Sequence, residues 1–259
     1  MTIAVNRPQR VAGRPPPSFE TPYGEVVPAL RAAQMRLLEQ RWMVERHGTP
    51  DDLAALAGGR VATVVAGWQT AGPLRVAVAV GGGWNGAAGL QAARALAQMG
   101  HAVTVVPVAA GPFGARAITA SSVVRSAFVR IAEPGHREAV LVEADVVVDA
   151  IVGSGLQGGA RAGMATAIRD VNRLARRIVS ADVPSGMDAD TGFAWGPVVR
   201  PTVVVAFGLP KPGSAQAAAY GSEVLLADLR LPPAAIREVA PGYGDPFRQG
   251  PIVALRTVG

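Results

Sequence analysis

The chain has 259 residues, 49% of them apolar but only 5% aromatic, and carries a formal net charge of +6. It contains no cysteine, which excludes disulfides, thiolate metal sites and a cysteine nucleophile, and no apolar run reaches the roughly 18 residues of a membrane span. The arginines are scattered, with no basic run interleaved with aromatics, so the charge reads as a solvated surface rather than a nucleic-acid footprint.

The N-terminus lacks the apolar core of a signal peptide, and a cytoplasmic protein is expected. Residues 1–24, ending in RPPPSFETPYG, are rich in proline and polar residues and are expected to form a mobile or loosely docked arm. A single domain is expected over residues 25–259. From Pro28 to His47, Leu30, Met35, Leu38 and Trp42 recur near the helical spacing. Gly48 then stops that helix, Thr49 caps the next, Pro50 suits its first turn, and Asp51 and Asp52 complement its dipole. These two helices are expected to form a layer packed against a sheet.

Short Val- and Ala-rich runs predict strands at Val76–Val80, Ala102–Val108, Asp145–Ala150, Arg177–Asp182, Thr202–Phe207 and Glu223–Asp228, buried on both faces. Helices are expected over Gly86–Met99, Ala115–Ile131 and Ala160–Arg176. This alternation predicts right-handed crossovers and a mostly parallel, doubly wound α/β sheet.

Ligands of such a sheet sit beyond the C-terminal ends of the strands. Four loops leave those ends: GGGWNGAAG (from Gly81), DAIVGSGLQGG (from Asp149), DVPSGMDADTG (from Asp182) and FGLPKPG (from Phe207). The spacing Gly81-x-Gly83-x-x-Gly86 fits a dinucleotide fingerprint, yet no charged residue lies between Arg75 and Arg94. The second strand ends in VVPVAAGP, without the carboxylate that would hold a ribose hydroxyl, so NAD as a redox cofactor is not expected. Backbone N–H groups at a helix start still bind phosphate without side-chain charge. Lys211 is the only lysine of the chain, a compact amine of tunable pKa on one of these loops.

Taken together, VVVDAIVGSGL, VSADVPSGMDADTG, GPVVRPTVVVAFGLPKPG and the strand–loop–helix over Val76–Leu90 resemble the YjeF N-terminal domain, the NAD(P)H-hydrate epimerase family. The resemblance runs from about Met35 to about Pro233. It implies a three-layer α/β/α sandwich with a Rossmann-like, mostly parallel sheet, and a homodimer. It implies an isomerase that interconverts the R and S forms of hydrated NADH or NADPH, the S form passing to a dehydratase that is expected to be a separate protein.

Carried over residue by residue, the resemblance puts a potassium ion on Asn85, Asp149 and Ser185, an oxygen donor set that suits a hard cation. The substrate's phosphates and ribose would meet the turn Trp84, Asn85, Gly86, Ala87 and Ala88. They would also meet the loop Gly153, Ser154, Gly155, Leu156, Gln157, Gly158 and Gly159. Asp182 would contact the hydrated ring as acid–base and counter-charge, and Lys211 would share the proton or bind a phosphate.

Where the family reads G-P-G-N-N-G-G-D-G, this chain departs: Trp84 replaces an Asn, Ala87 a Gly and Ala88 the Asp. Two alternatives therefore stand beside the epimerase. One is an enzyme retuned for redox-neutral chemistry on a planar, apolar metabolite that stacks on Trp84. The other is a ligand-binding member without catalysis.

Overall fold

A computed structural model describes residues 17–108 and 129–258. Its strands are β1 (Ser18–Glu20), β2 (Val26–Pro28), β3 (Arg75–Val80), β4 (Ala102–Pro107), β5 (Arg130–Ile131), β6 (Val146–Ala150), β7 (Ile178–Ala181), β8 (Val203–Phe207), β9 (Glu223–Ala227) and β10 (Ile252–Val258). Its helices are α1 (Ala32–Arg46), α2 (Pro50–Ala66), α3 (Trp84–Gln98), α4 (Arg137–Glu143), α5 (Ala162–Leu174), α6 (Pro212–Ala219) and α7 (Pro233–Val239). The strands form one sheet in the order β2-β1-β10-β9-β8-β7-β6-β3-β4-β5. Pairing is parallel from β9 to β5 and antiparallel at β10, β1 and β2.

Successive side chains of a strand point to opposite faces, and the core divides accordingly. Val76, Val78, Val80, Val146, Val148, Val179, Val203 and Val205 face α1, α2, α3 and α7. Ala77, Ala79, Val147 and Ile178 face α4 and α5, while Val204 meets Met187 and Ala217. The result is the expected α/β/α sandwich, and the six predicted strands stand with ends shifted by no more than one residue. Among the described residues no helix is long and apolar enough to cross a membrane.

Three readings change. Residues 115–128 of the helix expected over Ala115–Ile131 lie outside the described residues, but Arg130–Ile131 pairs in parallel with β4 as an edge strand. Of the expected arm, Ser18–Glu20 is docked between β2 and β10, because Phe19 is an apolar anchor with no exposed surface. The strands β1, β2 and β10 and the helices α4, α6 and α7 were not anticipated.

The N-terminal layer meets the sheet through α3. A Cβ on Gly58 of α2 would stand 2.5 Å from the Ala88 carbonyl oxygen and 2.6 Å from the Ala92 nitrogen, both backbone atoms. The two helix axes therefore approach as closely as a missing side chain permits. In an exposed helix Gly→Ala stabilises; here the overlap reverses the sign. Gly58→Ala is expected to destabilise by roughly 1–3 kcal/mol, read as a lower urea midpoint at unchanged m-value. An unchanged or raised midpoint refutes the contact.

Candidate active site

The turn after β3 is tight for steric reasons. A Cβ on Gly81 would lie 1.9 Å from the Ile151 carbonyl oxygen, and one on Gly86 would lie 1.9 Å from the Gly81 carbonyl oxygen. Glycine at these positions lets the chain fold back on the β6 loop and start α3 at once. Gly83 caps α3 without a side-chain bond, which leaves the first-turn N–H groups of the helix open. They border a cleft of about 340 Å³ lined by Gly81–Asn85, Ile151–Gly155, Asp182, Val108, Arg161 and Met164.

Asp149, the fourth residue of β6, is fully buried. Its oxygens accept from Ser180 Oγ (2.7 Å), Ser185 N (2.9 Å), Ser185 Oγ (2.5 Å) and the Ile151 amide (3.3 Å). All these donors are neutral, so burial pushes the carboxyl up despite the hydrogen bonds. Ser185 Oγ also accepts from the Val152 amide at 3.0 Å, which ties the β6 loop to the β7 loop. Next to Val152, a Cβ on Gly153 would stand 3.0 Å from Asn85 Oδ1 and 3.2 Å from Asp182 Oδ2. Asn85 is 5% exposed, and neither its Oδ1 nor its Nδ2 has a hydrogen-bond partner among the described residues.

Asp182 follows β7 in the left-handed region (φ 68°), held there by its N–H donating to the Val205 carbonyl at 2.8 Å. Lys211 Nζ donates to Asp182 Oδ1 at 2.5 Å and to the Phe207 carbonyl at 2.8 Å. The Ser154 amide donates to Oδ2 at 3.2 Å. Both side chains are almost wholly buried, yet only Asp182 borders the cleft. Lys211 stands behind it, its ammonium on Asp182 Oδ1, and does not line the cleft.

The structure gathers Trp84, Asn85, Gly153, Ser154, Gly155 and Asp182 on one cleft, with Asp149 and Ser185 beneath. Gly86, Ala87 and Ala88 do not line it; Ala88 is fully buried in the core on the α2 side. Leu156, Gln157, Gly158 and Gly159 continue outward beyond the lining. Trp84 borders the cleft but packs its ring edge-on against Phe207, centroids 5.6 Å apart at 83°. The sequence reading missed Arg161 and Met164 at the start of α5, where an isolated Arg in LQGGARAGM was the available signal.

A YjeF-related protein N-terminus model matches residues 50–213, and the chain belongs to this family. It is 32% identical over 242 residues to the NAD(P)H-hydrate epimerase of Dehalogenimonas lykanthroporepellens, covering 92% of this chain and 96% of that one. Over 175 residues it is 37% identical to the bifunctional NAD(P)H-hydrate repair enzyme Nnr of Hyperthermus butylicus. That match takes in 65% of this chain but spans only 32% of the longer relative. The crystal structure of yeast ynu0 shares the fold, with a TM-score of 0.73 at 23% identity over 87% of this chain and 99% of that one.

One further acid belongs to this region. Glu39 of α1 is pushed up to about 7, first by burial, then by the Asp182 charge against the opposing pull of Lys211 and Arg36. The folded protein therefore binds this proton more tightly than the unfolded chain. Its contribution to stability is complete below the unfolded value near 4.5 and is lost as pH rises through about 7. Glu39→Gln is expected to match the parent near pH 4 and to exceed it by roughly 1–3 kcal/mol at pH 8. Denaturant melts across that range check it; equal stability of the two proteins at pH 8 refutes it.

Proposed function

We propose that the protein is an NAD(P)H-hydrate epimerase, interconverting the R and S forms of hydrated NADH and NADPH. The observation that carries this reading is Asp182: a buried carboxylate, pinned on one oxygen by Lys211, that borders the cleft. Two relatives at 32% and 35% identity that carry the name NAD(P)H-hydrate epimerase support it.

Epimerisation at the hydrated carbon requires its C–O bond to break and re-form, or the ring to open and close. Either route moves a proton and passes through a cationic ring. Asp182 accepts and returns the proton and supplies the counter-charge. Lys211 fixes the carboxylate's orientation by holding Oδ1, and the Ser154 amide limits the swing of Oδ2. The open N–H groups of α3 and the Arg161 guanidinium receive the phosphates. No redox cofactor takes part.

Potassium fits the same residues. Asn85 brings an unpartnered buried amide oxygen, Asp149 a buried carboxylate with only neutral donors, and Ser185 a hydroxyl between them. Asn85, Asp149 and Ser185 would hold the ion, which would offset the Asp149 charge and brace the β6 and β7 loops that hold Asp182. Potassium is expected to raise the melting temperature of the parent but not of Asn85→Ala, at equal ionic strength with sodium as the control. The same rise in both proteins, or none in either, removes the site.

The retuned alternative rests on the departures in the glycine-rich loop, and of these position 88 falls in the core rather than on the cleft, which favours the epimerase. The test is equilibration of purified R- and S-NADHX. The parent is expected to exceed the buffer rate, and Asp182→Asn to lose about 10²–10⁴-fold of that acceleration. A parent rate equal to the blank ends the reading. A homodimer in the cytoplasm completes the proposal.

A further inference from the structure

The second half of the motif that begins at Asp182 does not touch the cleft. Asp188–Gly192 instead builds a tight turn around one carboxylate oxygen. Asp188 Oδ1 accepts from the amides of Asp190 (3.0 Å) and Thr191 (2.9 Å) and from Thr191 Oγ1 (2.8 Å). The Asp188 amide donates to the Phe193 carbonyl at 2.8 Å. Asp190 Oδ1 caps α1 through the Ala32 amide at 2.6 Å, which anchors the turn to the body of the protein.

This rigid turn presents two aromatic rings to solvent. Phe193 is 44% exposed and Trp195 40%, with centroids 4.9 Å apart and planes at 76°. The perpendicular rings form an open corner, a floor and a wall suited to a flat heteroaromatic. Two rings exposed side by side are unusual in a chain with 5% aromatic residues. The corner is also continuous with the active site. The loop that leaves the cleft at Gly155 reaches Trp195 at Gly159, where a Cβ would stand 3.2 Å from Trp195 Cβ. Arg161, two residues further along, lines the cleft again.

A cleft of about 340 Å³ is at the small end of ligand sites, and a dinucleotide carries two nucleoside units. The second would extend beyond the described residues that line it. We propose that Phe193 and Trp195 form the platform on which the adenine of the hydrated dinucleotide stacks, with Arg161 drawing the pyrophosphate between corner and cleft. This rests on the epimerase reading above. The corner is a binding element and takes no part in the chemistry at Asp182, so its contribution falls on KM.

Epimerisation rates for hydrated NADH and for hydrated reduced nicotinamide mononucleotide, which lacks the adenosine half, test the proposal. Trp195→Ala is expected to raise KM for the dinucleotide about tenfold, with kcat little changed and the mononucleotide kinetics unaltered. Phe193→Ala acts in the same direction, and Trp195→Phe, which keeps a stacking ring, retains most of the parent affinity. Equal losses on both substrates, no loss on either, or a loss that tracks a change of oligomeric state in light scattering overturns the platform. If the parent accelerates neither substrate, the epimerase reading fails first and the platform with it.

Discussion

Two carboxylates stand buried on neighbouring strands at the C-terminal edge of the sheet, and the compensation of their charge organises what surrounds them. A buried ionised group is tolerated only when paired or fully hydrogen-bonded. Asp149 and Asp182 illustrate the two solutions. Asp149 takes two hydroxyls and two amides, and Ser180, its register partner on β7, supplies one of them. Asp182 takes the lysine. For Lys211 to reach it, the chain after β8 must double back over the Phe207 carbonyl and enter α6, and the Lys211 amide accordingly donates to Ser214 Oγ at 3.3 Å. The four loops converge because these two charges leave them few other arrangements. Breaking the lysine pair leaves an uncompensated buried charge, at a typical cost of about 3–5 kcal/mol.

The glycine-rich turn after β3 carries no charge of its own, and its shape is set by close backbone contacts. Gly81 and Gly86 are set by contacts with the Ile151 and Gly81 carbonyls, at distances no side chain allows. The turn brings the start of α3 beside the β6 loop, so that the Asn85 amide stands within contact of Gly153. Open N–H groups and one buried amide then make the polar surface of this wall. The cation on the cleft comes from elsewhere in the chain, Arg161 just before α5, while Lys211, from the loop after β8, stands behind Asp182.

Much of this was legible in the sequence. The six central strands are buried on both faces, and unbroken Val and Ala runs announce that directly. Asp149, Asp182 and Ser185 were named through the resemblance to the YjeF N-terminal domain, on loops at strand ends, and Lys211 as the single lysine of the chain. The antiparallel flank was not legible: β1 and β2 have three residues each, and β10 turns polar at Arg256 and Thr257. Arg161 was overlooked because a helix was expected from Ala160; it is instead the extended residue before α5 and lines the cleft. Gly86, Ala87 and Ala88 do not line the cleft, for a periodic reason. Once α3 begins at Trp84, residue 88 lies one turn on, on the face towards α2.

That last point bears on how the departure at position 88 is to be understood. Ala88 and Gly58 belong to one seam, where a Cβ on Gly58 would stand 2.5 Å from the Ala88 carbonyl oxygen and the Ala88 side chain is sealed in the core. A carboxylate in that place would be buried in an apolar cluster. Ala88 is thus a packing residue of an Ala- and Gly-rich helix pair, and its loss of charge is a property of the α2–α3 contact. The chemistry of the cleft is set on the other side of the turn, by Asn85, Gly153 and Asp182. A change in the loop's sequence is in this way separated from a change in the loop's function by a single helical turn.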